Sequence, residues 1–281
     1  MKILFWNIQH GGGKRIEQIL STVTRHSPDL VAFAEYRVSP GRKLVEALVR
    51  DGWNSVESTD PSGSENGLCV LSRVPIRRVS APTPPDNAVR WINLYLPDHG
   101  FQIGVLHIVC AGRSGAAKTR FWNAVLKSAQ QVYNDPFLFV GDLNTGLHRI
   151  DEVGRTFVCA EQFRQMTELG WIDLWRAFNS ESTEFTWYSK LRGGICRNGF
   201  RVDHAFASPS LLPRVRGCRY SHSERDAGAS DHSLLLVEIE TGAESEDFGG
   251  PDSKKIDSYF SGSKLINAHS LPSNLKFIRL Q

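Results

Sequence analysis

Four apolar, strand-like runs in this chain are each joined to a short polar motif. Three runs lead into Asn7, Glu35 and Asp142, and the fourth follows directly after Asp231 and His232. A strand that stops at such a residue presents its side chain at the edge of a sheet, so ends this far apart in the sequence meet only in a folded site. Carboxylates, a carboxamide and an imidazole together predict a metal-assisted phosphoester hydrolase.

The residues between these motifs follow helix and strand periodicities in turn. Apolar spacings of three and four residues predict helices at 14–25, 42–50, 114–133 and 160–169. Further apolar or alternating runs predict strands at 67–72, 89–96, 101–109, 185–188, 200–207 and 232–240. Strands mixed with a few face-covering helices predict an α/β fold with two packed sheets and helices outside them.

Composition and charge limit the class of protein, the cellular location and the partners that we expect for this chain. Its 281 residues are 41% hydrophobic and 22% charged, as in ordinary globular proteins, and no apolar run is long enough for a membrane span. The first residues enter a strand-like run at once, which favours a cytoplasmic location, or a nuclear one in a eukaryote. The net charge of +3 permits a polyanionic partner without requiring one, and no membrane partner is expected. The oligomeric state is left open.

The composition changes after Glu240. Residues 241–252 combine Gly and Pro with four acidic residues and no basic one. Such a segment does not offer enough apolar surface to form a core. We therefore predict a catalytic domain over residues 1–240 and a flexible tail over residues 241–281.

The tail contains a short stretch, residues 253–260, that resembles a sliding-clamp-binding box. Ile256, Tyr259 and Phe260 have the spacing of its apolar anchors, and Ser253 stands where the box usually has Gln. A docking peptide for a sliding clamp is one interpretation. An inert tail is the other.

The chemistry of phosphoester hydrolysis assigns roles to the strand ends. Hard oxygen ligands hold Mg²⁺, so Glu35 is a candidate metal ligand and Asn7 its neutral neighbour. Asp142 and Asn144 lie two residues apart, and an extended chain points both to one face. There a carboxylate can act on water while an amide holds the phosphate. The alternative for this pair is an Asx-type turn, while Gly141 before it favours close approach of a ligand.

His232 needs a partner that fixes its tautomer if it is to act on a phosphate. A carboxylate on one ring nitrogen does this. The adjacent Asp231 is poorly placed, because neighbours in a strand point to opposite faces, and Asp203 is the better partner. His204 alternates away from Asp203 and is predicted to be structural.

These motifs, in this order, resemble the endonuclease/exonuclease/phosphatase superfamily, over a stretch from Met1 to about Glu240. The motifs are Trp6-Asn7, Glu35, His107, Gly141-Asp142-Leu143-Asn144, Arg201-Val202-Asp203 and Ser230-Asp231-His232. The resemblance implies a four-layer α/β sandwich of two mixed sheets with flanking helices. It also implies a bound Mg²⁺, with Mn²⁺ as the other candidate.

The resemblance implies a role for each matching residue. Glu35 binds the metal, Asn7 supports metal and phosphate, and the carboxylate matching Asp231 serves metal or water. The remaining members are implied to be catalytic: His107 at the scissile phosphate, the Asp142 and Asn144 pair, and Asp203 paired with His232.

The residues around the site resemble one branch of the superfamily in part only. His107 stands where the exonuclease III branch has Tyr, and Gln9 where that branch usually has Asn or Asp. The segment 185–207, however, resembles the region of that branch that packs aromatic residues against an extruded abasic sugar. On this basis Trp187, Phe200 and Val202 are predicted to bind substrate. Arg201, with Arg192 and Arg197 nearby, is predicted to bind substrate by neutralising backbone phosphates. For Trp187 and Phe200, a core role is the alternative.

Together, the motifs predict a divalent-metal phosphodiesterase that acts on DNA as an endo- or exonuclease of the repair type. One alternative is a hydrolase of a smaller phosphoester: a 5′-tyrosyl–DNA adduct, a lipid headgroup or a nucleotide. A non-catalytic scaffold with the same fold is the other. The full set of polar motif residues argues against the scaffold.

Overall fold

Two six-stranded mixed sheets pack face to face, with helices on their outer surfaces. The computed structural model of the chain describes residues 1–109, 115–180, 182–190 and 196–241. The strands, in chain order, are β1 (Lys2–Asn7), β2 (Leu30–Tyr36), β3 (Ser55–Ser58), β4 (Gly67–Ser72), β5 (Arg77–Val79), β6 (Trp91–Leu96), β7 (Phe101–His107), β8 (Phe137–Asp142), β9 (Ile172–Asp173), β10 (Trp187–Lys190), β11 (Cys196–Phe200), β12 (Asp203–Ala207), β13 (Val215–Ser221) and β14 (Leu234–Ile239). The helices are α1 (Ile16–His26), α2 (Val38–Arg50), α3 (Ala116–Gln131), α4 (Ala160–Glu168), α5 (Leu174–Phe178) and α6 (Ser223–Asp226).

The strand orders show how the site is positioned. The first sheet runs β13-β14-β1-β2-β4-β3, the second runs β5-β6-β7-β8-β12-β9, and β10 and β11 form a separate hairpin. The pairs β1–β2 and β7–β8 are parallel, and the other pairs within the two sheets are antiparallel. Because parallel strands need a crossover, α1 joins the first pair and α3 joins the second, each on the outside of its sheet.

Three apolar clusters correspond to the three interfaces between four layers. The largest lies between the sheets and includes Phe5, Val105 and Val140. A second packs α1 and α2 on the first sheet, and a third packs α3 and α4 on the second. The predicted four-layer α/β sandwich is therefore confirmed.

The sequence prediction was wrong at several boundaries, each for a local reason. Helix α2 begins at Val38, before the predicted start at residue 42, because Pro40 is tolerated in the first turn of a helix. The strand predicted over 200–207 is broken at Arg201 and Val202, where the chain leaves the β10–β11 hairpin and enters the second sheet. Strand β13 was missed because Arg216, Gly217 and Arg219 interrupt its apolar alternation at the sheet edge.

The predicted tail, apart from Thr241, lies outside the described residues, and so does the stretch 253–260. Strand β14 comes just before it, and the N–H of Glu240 donates a hydrogen bond to the carbonyl oxygen of Arg214. Among the helices of the described residues, none has the length and apolar character needed to cross a bilayer.

Candidate active site

The polar strand ends meet where the two sheets open at one edge. Strand register places His107 and Asp203 on either side of Asp142 in the second sheet. In the first sheet, β1 ends at Asn7 beside Ala34, the residue before Glu35. Asn7 bridges the two sheets, because its Nδ2 donates to Asp142 Oδ2 at 3.0 Å.

Glu35 is directed into the site by a bulge. It has a left-handed φ of 56°, and the pairing of β2 with β4 shifts by one residue at this point. A non-glycine residue in this region carries strain on the order of 1 kcal/mol, which functional sites commonly retain. One oxygen, Oε2, accepts from the His10 N–H at 3.0 Å, while Oε1 lies 4.0 Å from His107 Nε2.

Asp142 is the centre of the cluster. Its Oδ2 atom accepts from Asn7 and lies 3.8 Å from His107 Nε2 and 3.9 Å from His232 Nε2. Burial raises the pKa of Asp142 to about 7, with the nearby His232 opposing this shift and Asp203 adding to it. A carboxylate with a pKa near neutrality is suited to taking up and releasing a proton.

Asn144 follows Asp142 in a turn and not in an extended strand, so the extended-chain argument for it was wrong. Strand β8 stops at Asp142, Asn144 has a φ of 50°, and its N–H donates to Asp142 Oδ1 at 3.1 Å. The Asx-type turn is therefore present. The need for glycine at position 141 also differs from the predicted one. A Cβ there would lie 2.1 Å from the Leu106 carbonyl oxygen. Glycine therefore lets β7 and β8 pair closely, and the space beside its Cα is filled by backbone and not by a ligand.

Asp203 and His232 are in the predicted contact, although 29 residues separate them in sequence. His232 Nδ1 donates to Asp203 Oδ2 at 3.0 Å, and both side chains are buried. Burial opposes a charge on His232, but the Asp203 carboxylate outweighs it and raises the pKa of the imidazole to about 10. His232 is therefore an imidazolium at neutral pH.

His107 lies in the opposite electrostatic environment. It is buried, and burial lowers its pKa well below the usual value, with the Arg90 guanidinium lowering it further. Arg90 Nη1 lies 2.7 Å from His107 Nδ1. The imidazole is therefore neutral at neutral pH.

The residues of the site offer two sets of candidate ligands for a divalent metal ion. Asp142, Asp203 and His232 have ligand atoms within 4.8 Å of one another. His232, which Asp203 holds as an imidazolium, would have to lose a proton before it could bind a metal. Asp231 Oδ1 is buried and has no hydrogen-bond partner among the described residues, and Glu35 adds a second carboxylate. Such hard oxygen atoms, with the amide oxygen of Asn7, match Mg²⁺.

The two predicted aromatic residues lie beside the catalytic cluster. Trp187 and Phe200 are paired across the β10–β11 hairpin with ring centroids 5.7 Å apart, and the Trp187 ring is 6.4 Å from that of His232. Both are half-buried. Trp187 Nε1 also donates to Asp231 Oδ2 at 3.2 Å, so the indole holds the candidate metal ligand in place.

The structure contradicts the prediction that Arg201 and Val202 bind substrate, because it buries both side chains. Arg201 is 0% exposed, and its guanidinium pairs with Asp151 at 2.7 Å and with both oxygens of Asp173. A guanidinium enclosed by two carboxylates is structural and does not reach a phosphate. Val202 is 4% exposed and packs in the core. Arg192 lies outside the described residues, as does the side chain of Arg197.

His204 has the structural position predicted for it. Its Nε2 donates to the carbonyl oxygens of Thr145 and Arg201, at 2.8 and 3.0 Å. Burial, with a contribution from the Arg201 charge, lowers the pKa of this imidazole to about 4.

Two arginines near the site were missed from the sequence. Arg90 was missed because it precedes β6 with no motif around it. Arg15 was treated as part of a helix, yet its guanidinium donates to the carbonyls of Ile8 and Ala229, at 3.1 and 2.9 Å, and thereby joins the N-terminal loop to the loop before Asp231. Neither position carries a local signal, since only the fold brings these arginines to the strand ends.

A two-sheet α/β sandwich with this cluster of carboxylates, amides and histidines defines a phosphoesterase. The sequence model of the Endonuclease/Exonuclease/phosphatase family matches residues 4–232. The chain belongs to that family, whose members include nucleases and generally depend on a divalent metal ion.

Solved structures with the same fold are distant in sequence. An AP endonuclease from Archaeoglobus fulgidus is 19% identical, with a TM-score of 0.69, over 85% of this chain and 99% of the other. A variant of the 3′ phosphatase NExo from Neisseria, bound to a product DNA hairpin, is 20% identical, with a TM-score of 0.72 over 85% and 99%. The 3′-5′ exonuclease NExo from Neisseria meningitidis is 19% identical, with a TM-score of 0.71 over 85% and 100%. A search of curated proteins returns no significant match.

Proposed function

We propose that this chain is a divalent-metal-dependent phosphodiesterase that cleaves DNA, as an endo- or exonuclease of the repair type. The observation that carries the proposal is the position of Asp142 between His107 and His232, with Asn7 bonded to it. The proposed catalytic residues are His107, Asp142, Asn144, Asp203 and His232. The match of residues 4–232 to the Endonuclease/Exonuclease/phosphatase family supports this assignment.

Proton movement in the proposed reaction depends on Asp142. Water attacks phosphorus, and its proton passes to the Asp142 carboxylate as the new P–O bond forms and the bond to the departing oxygen breaks. The departing oxygen leaves as an alkoxide and takes a proton from solvent. Its pKa of about 7 leaves much of this group ionised at neutral pH and able to accept that proton. The Asn7 N–H holds the carboxylate in orientation.

Hydrogen-bond donors in fixed positions stabilise the negative charge that develops on the phosphate. His232 Nε2–H, with the positive charge maintained by Asp203, donates to a non-bridging phosphate oxygen, and the Asn144 amide holds a second one. Asn7, Glu35 and Asp231 are the proposed metal ligands. When bound, Mg²⁺, or alternatively Mn²⁺, would supply a cation against a non-bridging oxygen.

DNA is proposed as the substrate for two reasons. The neighbouring structures are described as an AP endonuclease, an exonuclease and a phosphatase bound to product DNA. Trp187 and Phe200 also offer half-buried rings beside His232, on which a base or an extruded sugar can stack.

A smaller phosphoester is the second candidate, and two observations favour it. The burial of Arg201 removes a cation that was expected to neutralise a DNA phosphate. A cavity of about 530 Å³ next to Asp231, also lined by Gln9, Tyr188 and Arg225, is of a size for a small ligand.

A labelled substrate panel separates these candidates. Abasic duplex, nicked duplex, single strand, a 5′-tyrosyl end, RNA and sphingomyelin would each be incubated with Mg²⁺ and the full chain. We expect cleavage of at least one DNA substrate, lost in Asp142→Asn and retained in the matched control Asp98→Asn, which changes an exposed turn carboxylate. Cleavage of a small phosphoester alone would replace the DNA proposal, and cleavage of none would reject the phosphodiesterase.

A further inference from the structure

Arg90 lies directly behind one of the two active-site histidines. It is the last residue of a short 3₁₀ turn, Ala88–Arg90, immediately before β6, and His107 is the last residue of the neighbouring β7. The two chain segments pair antiparallel, with Trp91 opposite Leu106. This register brings Arg90 Nη1 to 2.7 Å from His107 Nδ1.

The contact determines where the His107 proton lies. An arginine side chain offers only N–H donors and stays protonated, so the nitrogen that it contacts must accept. His107 Nδ1 therefore carries the lone pair, and the single proton of the neutral ring lies on Nε2. An imidazolium would place a second N–H against the guanidinium at the same 2.7 Å, where neither group could accept.

The proton on Nε2 is directed toward the reaction space. Nε2 is 3.8 Å from Asp142 Oδ2 and 4.0 Å from Glu35 Oε1, longer than a hydrogen bond to either carboxylate. The N–H is therefore available to an acceptor lying between them, which is where the proposed reaction places the phosphate.

We propose that Arg90 is a positioning residue that holds His107 in the tautomer protonated on Nε2. In this state His107 donates a hydrogen bond to a phosphate oxygen and takes no part in proton transfer. The inference about the phosphate rests on the proposed function, whereas the inference about the tautomer concerns the protein alone.

The tautomer can be measured without substrate or metal. Two-bond ¹H–¹⁵N correlation spectra of the full chain, with ¹⁵N-labelled histidine and at neutral pH, distinguish the tautomers by the shifts of the two ring nitrogens. The signals of His107 would be assigned by their loss in His107→Gln. We expect a lone-pair nitrogen at Nδ1 and a protonated nitrogen at Nε2. A proton on Nδ1, alone or together with one on Nε2, would overturn the proposal on the wild-type protein, with no variant required.

The role of Arg90 is tested by Arg90→Met, which keeps a long side chain but offers no donor. We expect its two His107 nitrogen signals to move toward each other, because both tautomers become populated. A melting curve checks that the variant is folded, and Arg90→Lys, which restores a donor and a positive charge, should return the signals toward the wild-type pattern. An unchanged His107 spectrum in folded Arg90→Met would show that Arg90 does not fix the tautomer.

Kinetics on a cleaved substrate test the hydrogen-bond role. His107→Gln keeps an N–H donor near the position of Nε2 but transfers no proton, whereas His107→Ala has neither property. We expect the Gln variant to exceed the Ala variant in kcat by ~10-fold or more. Arg90→Met should lower kcat more than it changes KM and add little to His107→Ala, since residues that act as a unit are not additive.

These outcomes distinguish two failures. Equal losses in His107→Gln and His107→Ala would overturn the donor role, while the proposed phosphodiesterase would stand. A wild-type chain that cleaves no phosphoester would end the proposed function and the phosphate contact, while the spectra would still test the tautomer.

Discussion

His107 and His232 lie at nearly equal distances from Asp142 Oδ2, with Nε2 atoms at 3.8 and 3.9 Å, but the groups behind them carry opposite charges. Arg90 contacts Nδ1 of the first ring and Asp203 contacts Nδ1 of the second. One ring is therefore neutral and the other is an imidazolium. Two chemically identical side chains therefore differ in charge because of the groups that contact their Nδ1 atoms.

The Asp203 and His232 pair should act as one unit. Asp203→Asn keeps the shape but removes the charge that maintains the imidazolium, so we expect kcat to fall ~10²-fold or more with a smaller change in KM. The double variant with His232→Ala should be little worse than either single one. Steady-state kinetics of the three variants measure this, with Asp98→Asn as the matched control. Losses that add in full would mean that the two residues work independently.

Metal removal should abolish the activity. A chelator leaves the carboxylates of Glu35 and Asp231 without the cation that they are proposed to hold, and added Mg²⁺ should restore turnover. Binding of Mg²⁺ can also be measured without substrate, because a ligand that binds only the folded state raises Tm. We expect Mg²⁺ to raise the Tm of the wild type and to raise that of Glu35→Gln much less. Full activity in chelator would contradict the metal proposal.

Trp187 should have two separable contributions. Trp187→Phe keeps a ring beside Phe200 but loses the N–H that holds Asp231, so we expect weaker activation by Mg²⁺ with DNA affinity little changed. Trp187→Ala loses the ring as well, and DNA affinity should fall by ~1–3 kcal/mol. Melting and DNA binding would be measured on the same samples. A Trp187→Ala protein that melts early but binds DNA normally per folded molecule would remove the aromatic pocket.

Burial of His204 should make stability depend on pH. Its folded pKa of about 4 lies below the unfolded value near 6.5, so the unfolded state binds the extra proton first as pH falls. The contribution of neutral His204 to the free energy of unfolding is complete above pH 6.5. It decreases as pH falls from 6.5 toward 4, by up to ~3 kcal/mol. Urea unfolding at pH about 7 and about 5 measures the loss. His204→Gln, which can still donate to the same carbonyls, should show a smaller loss, and an equal loss would contradict the assignment.

The tail should be separable from catalysis. A chain that ends at Glu240 should fold and cleave small substrates, because the predicted tail adds little core. If residues 253–260 are a docking peptide, the full chain should co-purify with a sliding clamp, and Ile256→Ala with Tyr259→Ala should abolish this. Failure of the shortened chain to fold would make the tail part of the domain.

Sequence alone determined the layers and the residues at the strand ends. Apolar runs predicted most strands of the two sheets, and polar residues at their ends predicted Asn7, Glu35 and Asp142 at one edge. Both inferences follow from local periodicity, which depends on neighbouring residues in the chain. The Asp203 and His232 contact was also foreseen, because alternation along a strand excluded Asp231.

Only the tertiary structure decided which charged groups contact the site residues. Arg201 looked like a phosphate ligand, but Asp151 and Asp173 enclose it from other segments of the chain. Arg90 has no motif, and it gains its position because β6 pairs with β7. The charge on a histidine depends on the groups within a few ångströms of it in space. Strand alternation and helix periodicity in the sequence carry no information about those groups when they come from distant segments of the chain.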